Sequence, residues 1–222
     1  MKSKWRDKTK QNYNSRKASY PGEIVSVDML VSPTPGLIAQ MSSFLTKKRY
    51  KYATVYIDNY SRLGYVYLQP DSSVQTTLKG KLAWEQYAAS QGVAIKSYHA
   101  DNGIFKANGW VDNCKQKQQS ITFAGVNTHH QNGIAERRIR LIQDQAQSIM
   151  IYAKSRWPEG ISMALWPYAT ILASNSVNNT PSLQDEKRRT PLQIFSKSEV
   201  MINPKHHRPF GCLVYVLNRA LQ

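Results

Sequence analysis

The sequence predicts an α/β fold, a mixed five-stranded sheet flanked by helices, with a helical C-terminal extension. Three observations predict it. The elements run strand, hairpin, helix, strand, helix, strand, helix, helix, an order that suits a mixed sheet covered by helices. Two β-branched and aromatic runs, Tyr52–Ile57 and Gly64–Leu68, flank the turn residues Asp58-Asn59-Tyr60-Ser61-Arg62 and read as a hairpin. A long segment from about Gly133 to Ala153 carries Ala135, Ile139, Ile142, Ala146, Ile149 and Ala153 at alternating spacings of four and three, the stripe of an amphipathic helix.

The remaining elements follow in order. Residues 1–20 carry Lys2, Lys4, Arg6, Lys8, Lys10, Arg16 and Lys17 against one acid, Asp7, and read as a basic arm or linker. Ile24 to Leu30 reads as a short buried strand after the turn signal Pro21-Gly22. Residues 31–51 contain Pro33, Pro35, Gly36 and Lys47-Lys48-Arg49 and read as a long loop. Residues 72–91 read as a helix with Leu78, Leu82, Trp84 and Tyr87 among its apolar positions, stopped by Gly92. Val93–His99 is a strand, a short helix covers about 107–118, and a short strand covers 120–123. Gly125–Gln131 is turn-like, and Asn132 suits the N-cap of the long helix. Residues 160–178, with Leu165, Trp166, Ile171 and Leu172, read as helical. A short helix near 191–196 and a strand from Cys212 to Leu217 follow. The expected division is an arm (1–20), a core (21–155) and an extension (156–222).

Composition narrows the partner. The 222 residues carry 30 Lys and Arg against 14 Asp and Glu, a net charge of +16, with 41% hydrophobic and 10% aromatic content. Such a chain can build a core, and its charge favours a polyanion, nucleic acid first. Two distant cysteines, Cys114 and Cys212, form neither a disulfide framework nor a paired-cysteine zinc site, so a reducing, intracellular setting is expected. The apolar runs are too short to span a bilayer, and no targeting signal is evident.

Three carboxylates carry the chemistry. Asp28 lies mid-strand between Val27 and Met29, Asp101 directly follows a strand, and Glu136 sits in the first turn of the long helix. Taken singly, Asp101-Asn102-Gly103 is an ordinary turn and Glu136 a first-turn glutamate favoured by the helix dipole. Asp28 is harder to dismiss, because an acid among apolar neighbours needs compensation. Two-metal phosphoryl transfer requires oxygen donors, since magnesium and manganese are hard ions, and a carboxylate able to bridge two ions roughly 3.5–4 Å apart. A central strand, a neighbouring strand end and a helix start are positions from which such carboxylates converge. Glu136, Arg140, Gln143 and Gln147 share one helix face, opposite the apolar stripe, suited to metal and phosphate contacts; Arg137 and Arg138 extend a positive rim.

The residues resemble the integrase catalytic core of copia-like LTR retrotransposons, over about 21–217. The family pattern of two aspartates and a glutamate falls on Asp28, Asp101 and Glu136, the last two thirty-five residues apart. Ile57-Asp58-Asn59-Tyr60-Ser61-Arg62 is similar to the family's hairpin signature. His130-Gln131-Asn132-Gly133-Ile134-Ala135-Glu136-Arg137 is similar to its glutamate-helix signature. Leu165-Trp166-Pro167-Tyr168-Ala169, Thr190-Pro191-Leu192 and Pro209-Phe210-Gly211-Cys212 resemble its later segments. The resemblance implies a ribonuclease H-like fold and an integrase, drawn from a polyprotein, that uses two Mg2+ or Mn2+ ions held by Asp28, Asp101 and Glu136. It implies trimming of retrotransposon cDNA ends and transfer of their 3′-hydroxyls into target DNA, by a multimer, in the nucleus. Asn102, Gln131, Asn132, Arg137, Arg140 and Gln143 are the implied DNA contacts. The family's upstream zinc module is absent from this sequence, and His129-His130 and His206-His207 have no cysteine partners here, so no zinc site is expected. Two further readings stay open: a catalytically inactive, DNA-binding remnant of the polyprotein, and a ribonuclease H or other nuclease on the same fold.

Overall fold

A computed structural model describes residues 17–38, 48–124, 132–183, 185–199 and 208–212. Five strands form one sheet: β1 (Val25–Gly36), β2 (Tyr50–Asp58), β3 (Gly64–Gln69), β4 (Ser97–Ala100) and β5 (Ser120–Phe123). Their order is β3-β2-β1-β4-β5. The three strands from β3 to β1 are antiparallel, and β4 and β5 add in parallel. The helices are α1 (Val74–Ser90), α2 (Asn108–Gln116), α3 (Gly133–Arg156), α4 (Trp166–Asn178) and α5 (Pro191–Ser196). The expected α/β class and mixed five-stranded sheet are therefore found.

Strand alternation splits the core into two layers. Val25, Val27, Tyr56, Tyr98 and Ala100 pack with Trp84 and Ala88 of α1 and with Trp110 and Cys114 of α2. Leu30, Ala53, Val55 and Ile57 pack on the other face with Ala135, Ile142, Ala146 and Met150 of α3 and with Trp166, Ala169 and Ala173 of α4. The first layer is rich in rings: Trp84 stacks on Tyr56, and Trp110 meets Tyr98 edge-on with centroids 5.1 Å apart. Although α5 touches α4, its Phe195 reaches Trp84 in the opposite layer, so the chain passes round the β3 side of the sheet.

Several sequence expectations change. The strand read as 24–30 runs on to Gly36, through the part expected to be loop. Pro33 and Pro35 lack N–H groups and interrupt the β1–β2 register between Val31 and Gly36. The segment stays extended because the Trp166 indole donates to the Thr34 carbonyl (2.8 Å) and the Leu37 amide to the Ala164 carbonyl (2.8 Å). Conversely, β4 starts only at Ser97, because the Lys96 amide bonds back to Gly22 in the preceding turn. Gly22 has a left-handed φ of +84°, and a Cβ there would stand 2.4 Å from the Ala94 carbonyl oxygen. The segment expected to be helical over 160–178 begins with a 3-10 turn at Met163–Leu165 before α4. On α1 the buried face is Thr77, Gly80, Lys81, Trp84 and Ala88, and Leu82 is exposed. The strand expected from Cys212, and most of the basic arm, lie outside the described residues.

Candidate functional site

β1 points Val25 and Val27 into the α1–α2 layer and Leu30 into the α3–α4 layer, so Asp28 sits on the α3 side of the sheet. Its half-buried carboxylate accepts from the Met29 amide at 2.7 Å. The parallel register Val25–Tyr98, Ser26–His99, Val27–Ala100 brings Asp28 and Asp101 side by side at its next step. Asp101 is exposed and accepts from the Gly103 amide (3.0 Å), closing a turn just beyond β4. Glu136 comes from the first turn of α3, which packs against β1 and β2.

The electrostatics tie the three together. Burial pushes the Asp28 carboxyl up to about 6, against the Met29 hydrogen bond, and the charges of Asp101 and Glu136 push it further. Among the described residues no cation counters these charges. Three carboxylates of one sign on one face are hard oxygen donors whose repulsion a divalent cation would relieve, so by donor chemistry they suit such an ion, although in this structure they are not gathered around one point. Among the described residues no group of three His, Cys, Asp or Glu is placed to hold a metal ion, so the acids feel one another's charge without sharing a focus.

The other expected contacts divide. Arg137, Arg140 and Gln143 are exposed on α3, and the Arg137 Nε donates to the Gly133 carbonyl. Asn102 is exposed beside Asp101, with its amide donating to the Ala124 carbonyl. Asn132 departs from expectation in two ways. It occupies the N-cap of α3 without a capping side-chain bond, and it is buried, its Nδ2 donating to the Val27 carbonyl at 3.0 Å. Its side chain joins the helix start to β1 one residue before Asp28, so it serves the scaffold and not a DNA-facing surface. Gln131, His129, His130, His206 and His207 lie outside the described residues.

Arg138 is also corrected. It is 7% exposed, so it is not part of a positive rim. Its guanidinium donates to Asn178 Oδ1 and the Ser174 carbonyl on α4, and burial pushes it down to about 10. Asn178 in turn accepts from the Gly64 amide (2.9 Å) and donates to the Gly64 carbonyl (2.7 Å). A Cβ on Gly64 would stand 2.6 Å from the Arg138 Nε, so a larger residue there would have to displace the Arg138 guanidinium.

Asp58 is marked by the sequence as turn chemistry and as part of the hairpin signature. It is fully buried at the end of β2 and accepts from the Gly22 amide (2.7 Å), the Ser61 amide (2.7 Å) and the Ser61 hydroxyl (2.7 Å). It fixes the β2–β3 hairpin and the turn before β1 to each other. Its neighbours Gly22 and Ser61 were visible as turn residues, but the tie between them needed the fold.

No family model matches the sequence. Solved structures of similar fold are integrase catalytic cores. The HTLV-2 integrase catalytic core domain, solved in complex with magnesium, matches with a TM-score of 0.54 at 17% identity, over 80% of this chain and 98% of that one. The simian T-cell lymphotropic virus intasome matches at 0.60 and 15%, over 87% of this chain and 61% of that one. The BIV integrase catalytic core matches at 0.53 and 17%, over 80% and 96%. The sheet, its strand order and its flanking helices therefore make this chain an α/β protein with the ribonuclease H-like fold of integrase catalytic cores.

Proposed function

We propose that this chain is the catalytic core of a DNA integrase, of the copia-like retrotransposon type, that performs divalent-metal-dependent phosphoryl transfer on DNA. The reactions are trimming of cDNA ends and joining of their 3′-hydroxyls to target DNA. The observation that carries this reading is that Asp28, Asp101 and Glu136, each from a different element, lie on the α3 side of the sheet near enough for Asp101 and Glu136 to act on the Asp28 carboxyl, with no cation among the described residues to offset them. Likeness in fold to cores solved with magnesium and in an intasome supports it, and the ordered signatures in the sequence support the retrotransposon assignment.

In this reading Asp28, Asp101 and Glu136 hold Mg2+ or Mn2+, two ions in the working site. The bound ions supply activation of the attacking oxygen and stabilisation of the leaving one. The chain's own groups do the rest. Val25 and Val27 fix β1 in the core, so that Asp28 cannot turn away. The Arg138–Asn178–Gly64 bonds hold the start of α3 and with it Glu136. Arg140 and Gln143, one and two turns along, meet phosphate and base edges of DNA, with Arg137 and Asn102 at the rim.

The lack of a shared focus among the three acids favours one second reading, a DNA-binding remnant without catalysis. Strand transfer on labelled, pre-processed DNA ends with Mg2+ or Mn2+ separates the two. The integrase reading expects joining by wild type and a fall to background, at least about 100-fold, in Asp28→Ala, Asp101→Ala and Glu136→Gln. Wild-type activity in any of these variants overturns the site. Tight, salt-sensitive binding without joining establishes the remnant, and degradation of an RNA–DNA hybrid establishes a ribonuclease H instead.

A further inference from the structure

We propose that the pocket between the outer half of β1 and the middle of α3 seats one nucleobase of DNA, drawn out of its pair, two or three nucleotides from the phosphate that meets the acids. The inference deepens the reading above and rests on it for DNA as the partner.

The two walls of this pocket are the elements that carry Asp28 and Glu136. Leu30 and Ser32 share the α3-side face of β1 with Asp28, since side chains alternate along a strand. Gln143 and Gln147 lie on the Glu136 side of α3, about two and three turns along. All four line the pocket. Strand rise puts Leu30 about 7 Å from Asp28, and helix rise puts Gln143 about 10 Å from Glu136. One strand of a DNA duplex advances about 3.4 Å per nucleotide, so the near end of the pocket lies two or three nucleotides from the acids.

The lining suits a base. The pocket encloses about 440 Å³, within the range of small-molecule sites (~300–1,000 Å³). Leu30, Ala146, Met150, Ile161 and Trp166 give it a floor of buried apolar surface on which a flat ring can lie. Val31, Ile151 and Met163 also line it, with 55, 62 and 61% of their surface exposed. Exposed apolar side chains gathered around a concavity mark a binding site. Two amides, Gln143 and Gln147, and one ammonium, Lys154, stand on the α3 wall. Among the described residues none of these three side chains makes a hydrogen bond or an ion pair. A primary amide offers donor and acceptor together, as the edge of a base does, whereas a hydrocarbon ligand would leave both amides unused. No acid lines the pocket and Lys154 is its one cation, so the phosphate attached to the base meets favourable charge. A paired base brings its partner and stacked neighbours with it; to enter a concavity the base must leave the stack.

The test is binding of the whole chain, by anisotropy, to a fluorescent DNA duplex with three unpaired nucleotides at one end, on either strand in turn. A matched probe carries abasic residues in place of those three bases, so the ratio of the two affinities cancels the contacts to the backbone. Wild type should favour the end with bases about 10-fold on one of the two strands. Gln147 and Ile151 are exposed, so Gln147→Ala and Ile151→Ala should melt at the temperature of wild type. Each should cut the preference about 3-fold, and the double variant should bring the two ends within about 2-fold of each other. Lys115→Gln, on α2 in the opposite layer, should keep the full preference. Equal binding of the two ends by wild type overturns the seat, and so does a double variant that keeps more than about half of the preference. If wild type joins strands but shows no preference, the seat fails and the integrase stands. If the preference depends on Gln147 and Ile151 but no strand transfer occurs, the seat stands and the integrase fails.

Discussion

Two charged clusters sit on opposite faces of the same sheet, and they are built to opposite rules. In the α1–α2 layer Lys81 is fully buried. Its ammonium bonds to Glu85 (2.6 Å), Asn113 (2.8 Å) and Gln119 (2.7 Å), and lies over the Tyr98 and Trp110 rings at 5.2 and 5.3 Å. Glu85 also accepts from Tyr98, Lys117 and Gln119. Burial works to raise the Glu85 carboxyl, but the bonds from Lys117, Lys81 and Gln119 prevail and hold it below its ordinary value. On the α3 side, Asp28 is pushed the other way by burial and by Asp101 and Glu136. One cluster satisfies every charge internally and clamps α1, α2, β4 and the turn before β5 together. The other, among the described residues, leaves like charges facing one another, which costs stability.

The sharpest way to break this comparison is to remove the internal counter-charge. Lys81→Met should leave Glu85 with Lys117 as its one cation, remove the donor to Asn113, and lower unfolding free energy in urea by about 1–3 kcal/mol. A loss below about 1 kcal/mol would show that the network does not clamp the layer. The matching change across the sheet should act with the opposite sign. Asp28→Asn should stabilise the metal-free chain at pH 7 by about 2–3 kcal/mol, the order of its displacement from the ordinary carboxylate value. The sign follows from the raised value. The folded state binds the proton more tightly than the unfolded one, so the penalty is absent below about 3.8, grows as pH rises and is complete above about 6. Melting temperatures of wild type and Asp28→Asn should therefore converge toward pH 4 and diverge toward pH 7. A gap independent of pH would sharpen the account against electrostatic repulsion.

Much of the fold was legible because it is local. The hairpin declared itself through two β-branched runs and the Asp58–Arg62 turn, and α3 through its four-three spacing. The extension of β1 was not, because Pro33 and Pro35 argue for a loop and the bonds that hold the segment come from Trp166 and Ala164, far along the chain. The three acids were legible by type and element. Their neighbourhood was not, because it depends on β4 pairing in parallel with β1. Arg138 was misread because helix periodicity places it on an edge between stripe and rim, and only the close approach of Gly64 and Asn178 draws it inside. Lys81 left a signal that composition hides: it falls in line with Thr77, Trp84 and Ala88 on one side of α1, a lysine in a buried stripe.

We propose that the α3-side acids take a divalent cation, as the α1-side cluster does not. The direct measurement is Mn2+ titration of the whole chain at pH 7, with free Mn2+ followed by its paramagnetic signal, for wild type and Asp28→Asn. The account predicts saturable binding by wild type and at least about 10-fold weaker binding by Asp28→Asn, a difference of about 1.4 kcal/mol. Equal binding by the two proteins, or no binding by wild type, would contradict it.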